Sequence, residues 1–195
     1  PLVSVAAHGA DPPNPAKRIH QAKERGAKLI VLDPRLTEPE TTADIFLKPV
    51  PGEDATLFAG LLHIILWEQW QDKEFRAHHV ADLDELTEAI RLFTPDRVAD
   101  KAGVPAEMLW KVADAFARQS RTGTAWSGTG PDMGPHSNLA EHLIETLNVV
   151  CGRFWREGAR IDNPGVVTAR YPRKAQVTPA PRWWGGSEFI TPALL

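Results

Sequence analysis

The residues best placed to do chemistry sit at turns. Asp33-Pro34-Arg35-Leu36-Thr37 follows the short apolar run Lys28-Leu29-Ile30-Val31-Leu32. A carboxylate at the C-terminal end of a buried strand can accept two hydrogen bonds, from a ribose diol or from adjacent N–H groups of a guanine. The same Asp-Pro pair also suits an ordinary strand-ending turn. A second turn, Pro51-Gly52-Glu53-Asp54, precedes a long apolar stretch. Asp54 is there either as a helix N-cap or as part of a helix start whose free N–H groups and positive dipole end face a phosphate or a purine edge. A third turn, Gly128-Thr129-Gly130, closes a strand candidate at Thr122–Ser127. His78-His79 stand out among the histidines, but no His/Asp/Glu set falls at metal-ligand spacing, so they read as surface or helix-end residues. Cys151 is the one cysteine. It excludes a disulfide framework, an iron–sulfur cluster held by this chain alone and a Cys-rich zinc site, and reads as a buried structural thiol. No catalytic residue and no metal ligand is assigned.

The elements that must hold these turns alternate between helix and strand. Pro15 suits the first turn of a helix running to about Arg25, where its missing N–H is not needed, and Gly26 suits its stop. Lys28 to Leu32 has the nearly continuous apolar pattern of a strand buried on both faces, as in a parallel sheet. Ile45 to Val50 is a weaker second strand. A helix is predicted from about Asp54 to Trp70, apolar on nearly every side and therefore deeply buried. Further helices are predicted at Asp84–Phe93, Pro95–Lys101, Ala106–Gln119 and Ser137–Val150. Helix, buried strand, acidic residue at its C-terminal end, then a loop is half of a doubly wound unit. The expected fold is α/β: a partial doubly wound, Rossmann-like domain over 1–152, with a helical insertion and an extended C-terminal arm over 153–195.

Charge divides the chain at the same place. Residues 1–152 carry 15 Lys+Arg against 22 Asp+Glu, and residues 153–195 carry 7 against 3. The arm also holds Trp155, Trp183 and Trp184, which need a surface to lie on. With a formal net charge of -3 there is no global basic field, so nucleic acid is not an expected partner. Ala99 to Val112 has helix-turn-helix spacing around Gly103, yet residues 94–116 hold four acids (Asp96, Asp100, Glu107, Asp114) against three bases. A recognition helix needs the reverse. No apolar window reaches the ~18 residues of a membrane span. Pro1-Leu2-Val3-Ser4 has no charged region before an apolar stretch, so no signal peptide is read and the expected compartment is the cytoplasm.

Taken in order, several segments resemble the molybdopterin oxidoreductases, the group of formate dehydrogenases, nitrate reductases and their relatives. They are Arg25-Gly26-Ala27-Lys28-Leu29-Ile30-Val31-Leu32-Asp33-Pro34-Arg35-x-Thr37, Ala43-Asp44, and Pro51-Gly52-x-Asp54-Ala55-x-Leu57. The likeness continues through Asp72-Lys73-Glu74-Phe75, His79-Val80, Phe93 to Ala99, Gly103 to Ala106, Trp126 to Gly130 and Leu147 to Gly152. It covers about residues 14–152. The resemblance implies a molybdenum or tungsten bis(guanine dinucleotide) cofactor. It places Asp33, Pro34 and Arg35 against one guanosine half, with Gly52 and Asp54 close by, and implies that Thr37 is also a cofactor-binding residue. Gly128 and Gly130 would let backbone approach the pterin or diphosphate.

The chain also departs from the family pattern. The upstream Cys cluster for an iron–sulfur centre, the metal-ligating residue and the later capping domain are not found in it, and Pro39 and Glu53 stand where Thr is usual. The sequence therefore resembles the central third of an enzyme. It is expected to bind no cofactor and to be catalytically silent alone, and to depend on the remaining segments of a full-length oxidoreductase. An electron-transfer subunit and self-association are further expected contacts. The alternatives are a non-catalytic scaffold kept for subunit contacts and a small nucleotide-binding domain.

Overall fold

The computed structural model describes residues 15–35, 42–161 and 173–174. Thr37 and most of the arm lie outside the described residues. The chain divides into two compact units. Among the described residues, one runs from Pro15 to Phe154 and the other begins at Trp155.

In the first unit, α1 (Pro15–Glu24) leads into strand β1 (Ile30–Leu32) and strand β2 (Ile45–Leu47). Gly26 sits at φ +92, a left-handed conformation that lets the chain leave α1 and turn toward β1. The two strands pair in parallel, with Ile30, Val31 and Leu32 opposite Ile45, Phe46 and Leu47. The expected parallel strand is therefore present, but it is not buried on both faces. All three β1 residues are half-buried, whereas Ile45 and Leu47 of β2 are buried. β1 has one strand neighbour among the described residues.

Helix α2 (Asp54–Trp67) follows, and every residue from Ala55 to Leu66 is buried. Such a helix can exist only at the centre of a helical layer. It is packed by α5 (Pro95–Ala102), α6 (Ala106–Ala117) and α8 (Ser137–Val150). Gly60 allows α5 to come close: a Cβ there would lie 2.8 Å from Val98 Cγ2. α2 ends three residues before the predicted Trp70, because Gln69 adopts φ 57 and the Trp70 N–H turns back to Ile65 O at 2.8 Å.

Helix α3 (Lys73–His79) starts at Asp72, whose carboxylate accepts the Phe75 N–H at 2.8 Å. Helix α4 (Leu83–Ala89) stops short of the predicted Phe93, whose N–H instead closes a turn onto Ile90 O. A single turn, α7 (Thr129–Asp132), occupies the third glycine turn. Among the described residues of the second unit, β3 (Arg160–Ile161) pairs antiparallel with β4 (Arg173–Lys174). The first unit is thus mostly helical, with one small parallel sheet.

Thr122–Ser127 is not a strand; its backbone lies beside α8 rather than a sheet. The Asn148 side chain takes the place of a neighbouring strand. Its Oδ1 accepts the Ala125 N–H at 2.7 Å and its Nδ2 donates to Ala125 O at 2.9 Å. One buried amide satisfies both polar groups of that peptide position, so no ladder is needed.

Candidate functional site

Parallel pairing puts the C-terminal ends of β1 and β2 at one edge. Asp33 leaves β1 there, and its N–H donates to Leu47 O at 3.1 Å. Asp33 Oδ1 accepts the Arg35 N–H at 2.8 Å, an Asx turn, and the Arg35 guanidinium lies 4.0 Å from the same oxygen. Its Oδ2 holds no hydrogen bond among the described residues. Pro34 and Arg35 are exposed.

The loop from β2 to α2 occupies the same edge. Gly52 has φ +90, and a Cβ there would meet Pro135 Cγ at 3.1 Å. This seat against Pro135 joins the second turn to the chain five residues past Gly130. It also gives Gly52 an internal reason to be glycine. Asp54 is the first residue of α2, and Glu53 rather than Asp54 holds the cap position, without a side-chain cap bond. The N-cap alternative for Asp54 is thereby overturned. The Glu53 carboxylate accepts the Thr56 hydroxyl at 2.6 Å and faces Lys101 Nζ at 3.5 Å. Burial holds the Asp54 carboxyl above its ordinary range, and the negative Glu53 adds to this; a hydrogen bond from its own N–H opposes them.

The third turn is anchored to α8. Ser127 Oγ donates to Glu141 Oε2 at 2.7 Å, while Glu141 Oε1 is buried with no hydrogen-bond partner. Gly128 precedes α7, and a Cβ built on Gly130 would find nothing within 4 Å. Gly130 therefore borders open space, not the chain's own packing. Trp126 is 59% exposed.

Other candidate residues fall elsewhere. Asp44 lies at the opposite, N-terminal end of the strand pair, where its carboxylate accepts the Leu29 N–H at 2.7 Å and pairs with Lys23 at 2.9 Å. These two contacts, the Leu29 bond first, hold its pKa below the usual value. Cys151 is buried, and burial pushes its thiol up to about 12. Arg153 opposes that shift and Asp72 adds to it. Such a thiol is unreactive at neutral pH. No group of three or more His, Cys, Asp or Glu among the described residues could hold a metal ion. No helix among them is long and apolar enough to cross a membrane.

Glu141, Ser127 and Asn148 were not singled out by sequence reasoning. Asn148 carried a signal: it is a polar residue among the buried positions Leu143, Ile144, Leu147 and Val150 of an amphipathic helix. Glu141 lies seven residues earlier, on the same helical face.

The residues suit a ligand rich in N–H donors. Asp33 Oδ2 and the orphaned Glu141 Oε1 are acceptors, Arg35 is an exposed cation for an anionic group, and Gly130 leaves room for close approach. Acceptors and a cation of this kind fit a pterin-type group, which carries ring N–H donors and a phosphate.

No protein-family model matches the chain. Individual proteins do match it. The F420-dependent formate dehydrogenase subunit alpha of Methanocaldococcus jannaschii is 29% identical over 147 residues, covering 75% of this chain and 22% of that protein. Acetylene hydratase of Syntrophotalea acetylenica is 38% identical over 133 residues, covering 68% and 18%. The molybdopterin-containing subunit of thiosulfate reductase from Salmonella typhimurium is 29% identical over 137 residues, covering 70% and 18%. The solved structure of acetylene hydratase from Pelobacter acetylenicus matches with a TM-score of 0.68 at 36% identity, over 71% of this chain and 19% of that one. The chain thus spans about a fifth of the length of its relatives rather than a third. Over that stretch, it belongs to the molybdopterin oxidoreductases.

Proposed function

We propose that this chain is the central cofactor-binding portion of a molybdenum or tungsten oxidoreductase of the formate dehydrogenase kind. We infer that the group it helps to hold is the bis(guanine dinucleotide) form of molybdopterin. The observation that carries this reading is the parallel β1–β2 pair. It gathers Asp33–Arg35 and the loop before α2 at the carboxyl ends of the strands, where open α/β sheets bind ligands. In this reading the pair belongs to a partial doubly wound domain spanning 1–152, and residues 153–195 form an arm along a neighbouring surface.

When bound, the metal–pterin group supplies oxygen-atom, hydride or electron transfer. The chain's own residues bind and orient. Asp33 accepts N–H groups of the guanosine half, Pro34 borders it, and Arg35 balances negative charge. Gly52 and Asp54 line the adjoining loop. Gly128 and Gly130 let backbone approach without a Cβ in the way. The chain contributes no metal ligand. Retention of the cofactor rests on the remaining segments of a cytoplasmic oxidoreductase, with electrons leaving to a separate electron-transfer subunit.

The test is Asp33→Ala in the native polypeptide carrying this sequence. Bound pterin and metal should fall while the thermal midpoint stays within a few degrees. Full pterin and metal content in the variant would remove Asp33 from the site. One observation favours a second reading, a non-catalytic scaffold: Asp33 Oδ1 is already satisfied by the Arg35 N–H. That reading requires the unmodified native protein to be isolated without pterin or metal.

A further inference from the structure

The stop at the end of α8 does more than end a helix. Gly152 adopts φ 61, its N–H donates to Val149 O at 3.0 Å, and the Arg153 N–H reaches back to Asn148 O at 2.8 Å. This pair of bonds, with glycine at the left-handed position, is a Schellman stop. It joins Asn148 and Arg153 by one backbone bond, and both side chains leave the helix to hold other backbone. The Asn148 amide holds both polar groups of Ala125, at 2.7 and 2.9 Å. Arg153 Nη2 donates to Phe116 O, and the guanidinium carbon lies 5.0 Å from the centre of the Phe116 ring.

Phe116 stands in the last turn of α6, where carbonyls have no partner within the helix and a cation is favoured. Arg153 therefore caps α6 from outside it. From α6 the chain runs to Ala125 and on through Ser127, whose hydroxyl meets Glu141 of α8, into the Gly128–Gly130 turn. Residues 118–124 are exposed, so little core packing fixes their path. The approach to the glycine turn is pinned at its start by Arg153 and near its end by Asn148, and a single hydrogen bond couples the two pins.

We propose that Arg153 is a positioning residue for the Gly128–Gly130 turn. Through Phe116 O and through Asn148 it sets the course of the 118–127 backbone, and with it the place where that turn meets the cofactor. The inference rests on the function proposed above, in which Gly128 and Gly130 lie against the pterin or diphosphate. It also gives the first unit a residue that charge and composition had put at the head of the arm.

Arg153→Met keeps an apolar stem and removes the donors and the charge. In the native polypeptide carrying this sequence, amide exchange at Ala125 should quicken about tenfold or more. The rise at Leu61 and Leu62, in the buried middle of α2, should be smaller, and bound pterin should fall. Arg153→Lys keeps the charge and a donor for Phe116 O, and should restore part of both readouts. An equal rise at Ala125 and in α2 would make Arg153 a general stabiliser and overturn the proposal. So would quickened exchange at Ala125 with pterin content unchanged. If the unmodified protein carries no pterin, the function proposed above fails, whereas the exchange result still decides whether Arg153 sets this backbone. Should Arg153→Met not fold, Arg153→Gln, shorter and neutral but still polar, takes its place, and unchanged exchange at Ala125 there overturns the assignment.

Discussion

At Asp54, burial and charge act against the fold. Its carboxyl is held above the ordinary 3.8 mainly because it is half-buried, and secondly because Glu53 is adjacent. A carboxyl whose folded pKa is raised binds its proton more tightly in the fold than in the unfolded chain. The associated stability is complete below about pH 3.8 and is lost as pH rises through the folded value. Asp54→Asn should therefore raise the melting temperature at pH 7 and leave it unchanged near pH 3. Calorimetric melts at the two pH values check this, and a lower midpoint at pH 7 would mean that the hydrogen bond from its own N–H dominates. The same variant should lose cofactor if Asp54 lines the site. Asp44 runs the other way: its pKa is lowered, so its contribution is present above 3.8 and disappears as pH falls.

At the scale of elements, α8 does more than fill the core. Its buried face carries Asn148, which satisfies the Ala125 backbone on both sides. Asn148→Ala would strand an N–H and a C=O that are partly shielded from water. The expected loss is about 2–3 kcal/mol, read by denaturant unfolding, with faster amide exchange at Ala125. A change under about 0.5 kcal/mol would show that water replaces the amide without cost. The α5–Gly103–α6 corner illustrates a different limit. Gly103 has φ 68, as a helix stop requires, but Val98, Ala102, Leu109 and Val112 are buried against α2 and its neighbours. These residues are unavailable to a DNA groove. A low-salt anisotropy titration with duplex DNA should show no binding; tight binding that weakens linearly with log salt would contradict this.

At the scale of the whole molecule, size decides what can be asked of the chain. It covers about a fifth of its relatives. The β1–β2 pair has no further strand partner among the described residues, and Trp67, Trp126 and Phe154 are exposed. Unpaired strand edges and exposed aromatic faces favour association. Residues 1–195 expressed alone should self-associate in light scattering, carry no stoichiometric molybdenum or pterin, and give no formate- or nitrate-linked dye reduction above buffer. Stoichiometric metal with turnover would require a complete active site within this sequence.

Most of the helices were legible because their causes are local; the short α3 and α7 are not among those predicted. The apolar run of α2, Pro95 and Gly103 around α5, and the periodicity of α8 each lie within one element, and their bounds fall within a few residues of those predicted. The β1–β2 pair was legible for the same reason, as apolar runs bounded by Asp33-Pro34 and Pro49. Its burial was not, because that depends on how many strands lie alongside. Thr122–Ser127 failed as a strand since its pairing comes from Asn148, 23 residues away. Glu141 meets Ser127 across 14 residues, and Gly52 meets Pro135 across still more. Chain spacing carries no record of such contacts. The sequence by itself determined the elements, the acidic strand end and the family resemblance. Only the tertiary structure decided that Gly52 meets Pro135, which of Glu53 and Asp54 stands at the cap, and that a Glu141 carboxylate oxygen is left without a donor among the described residues, because packing alone brings distant side chains together and removes them from water.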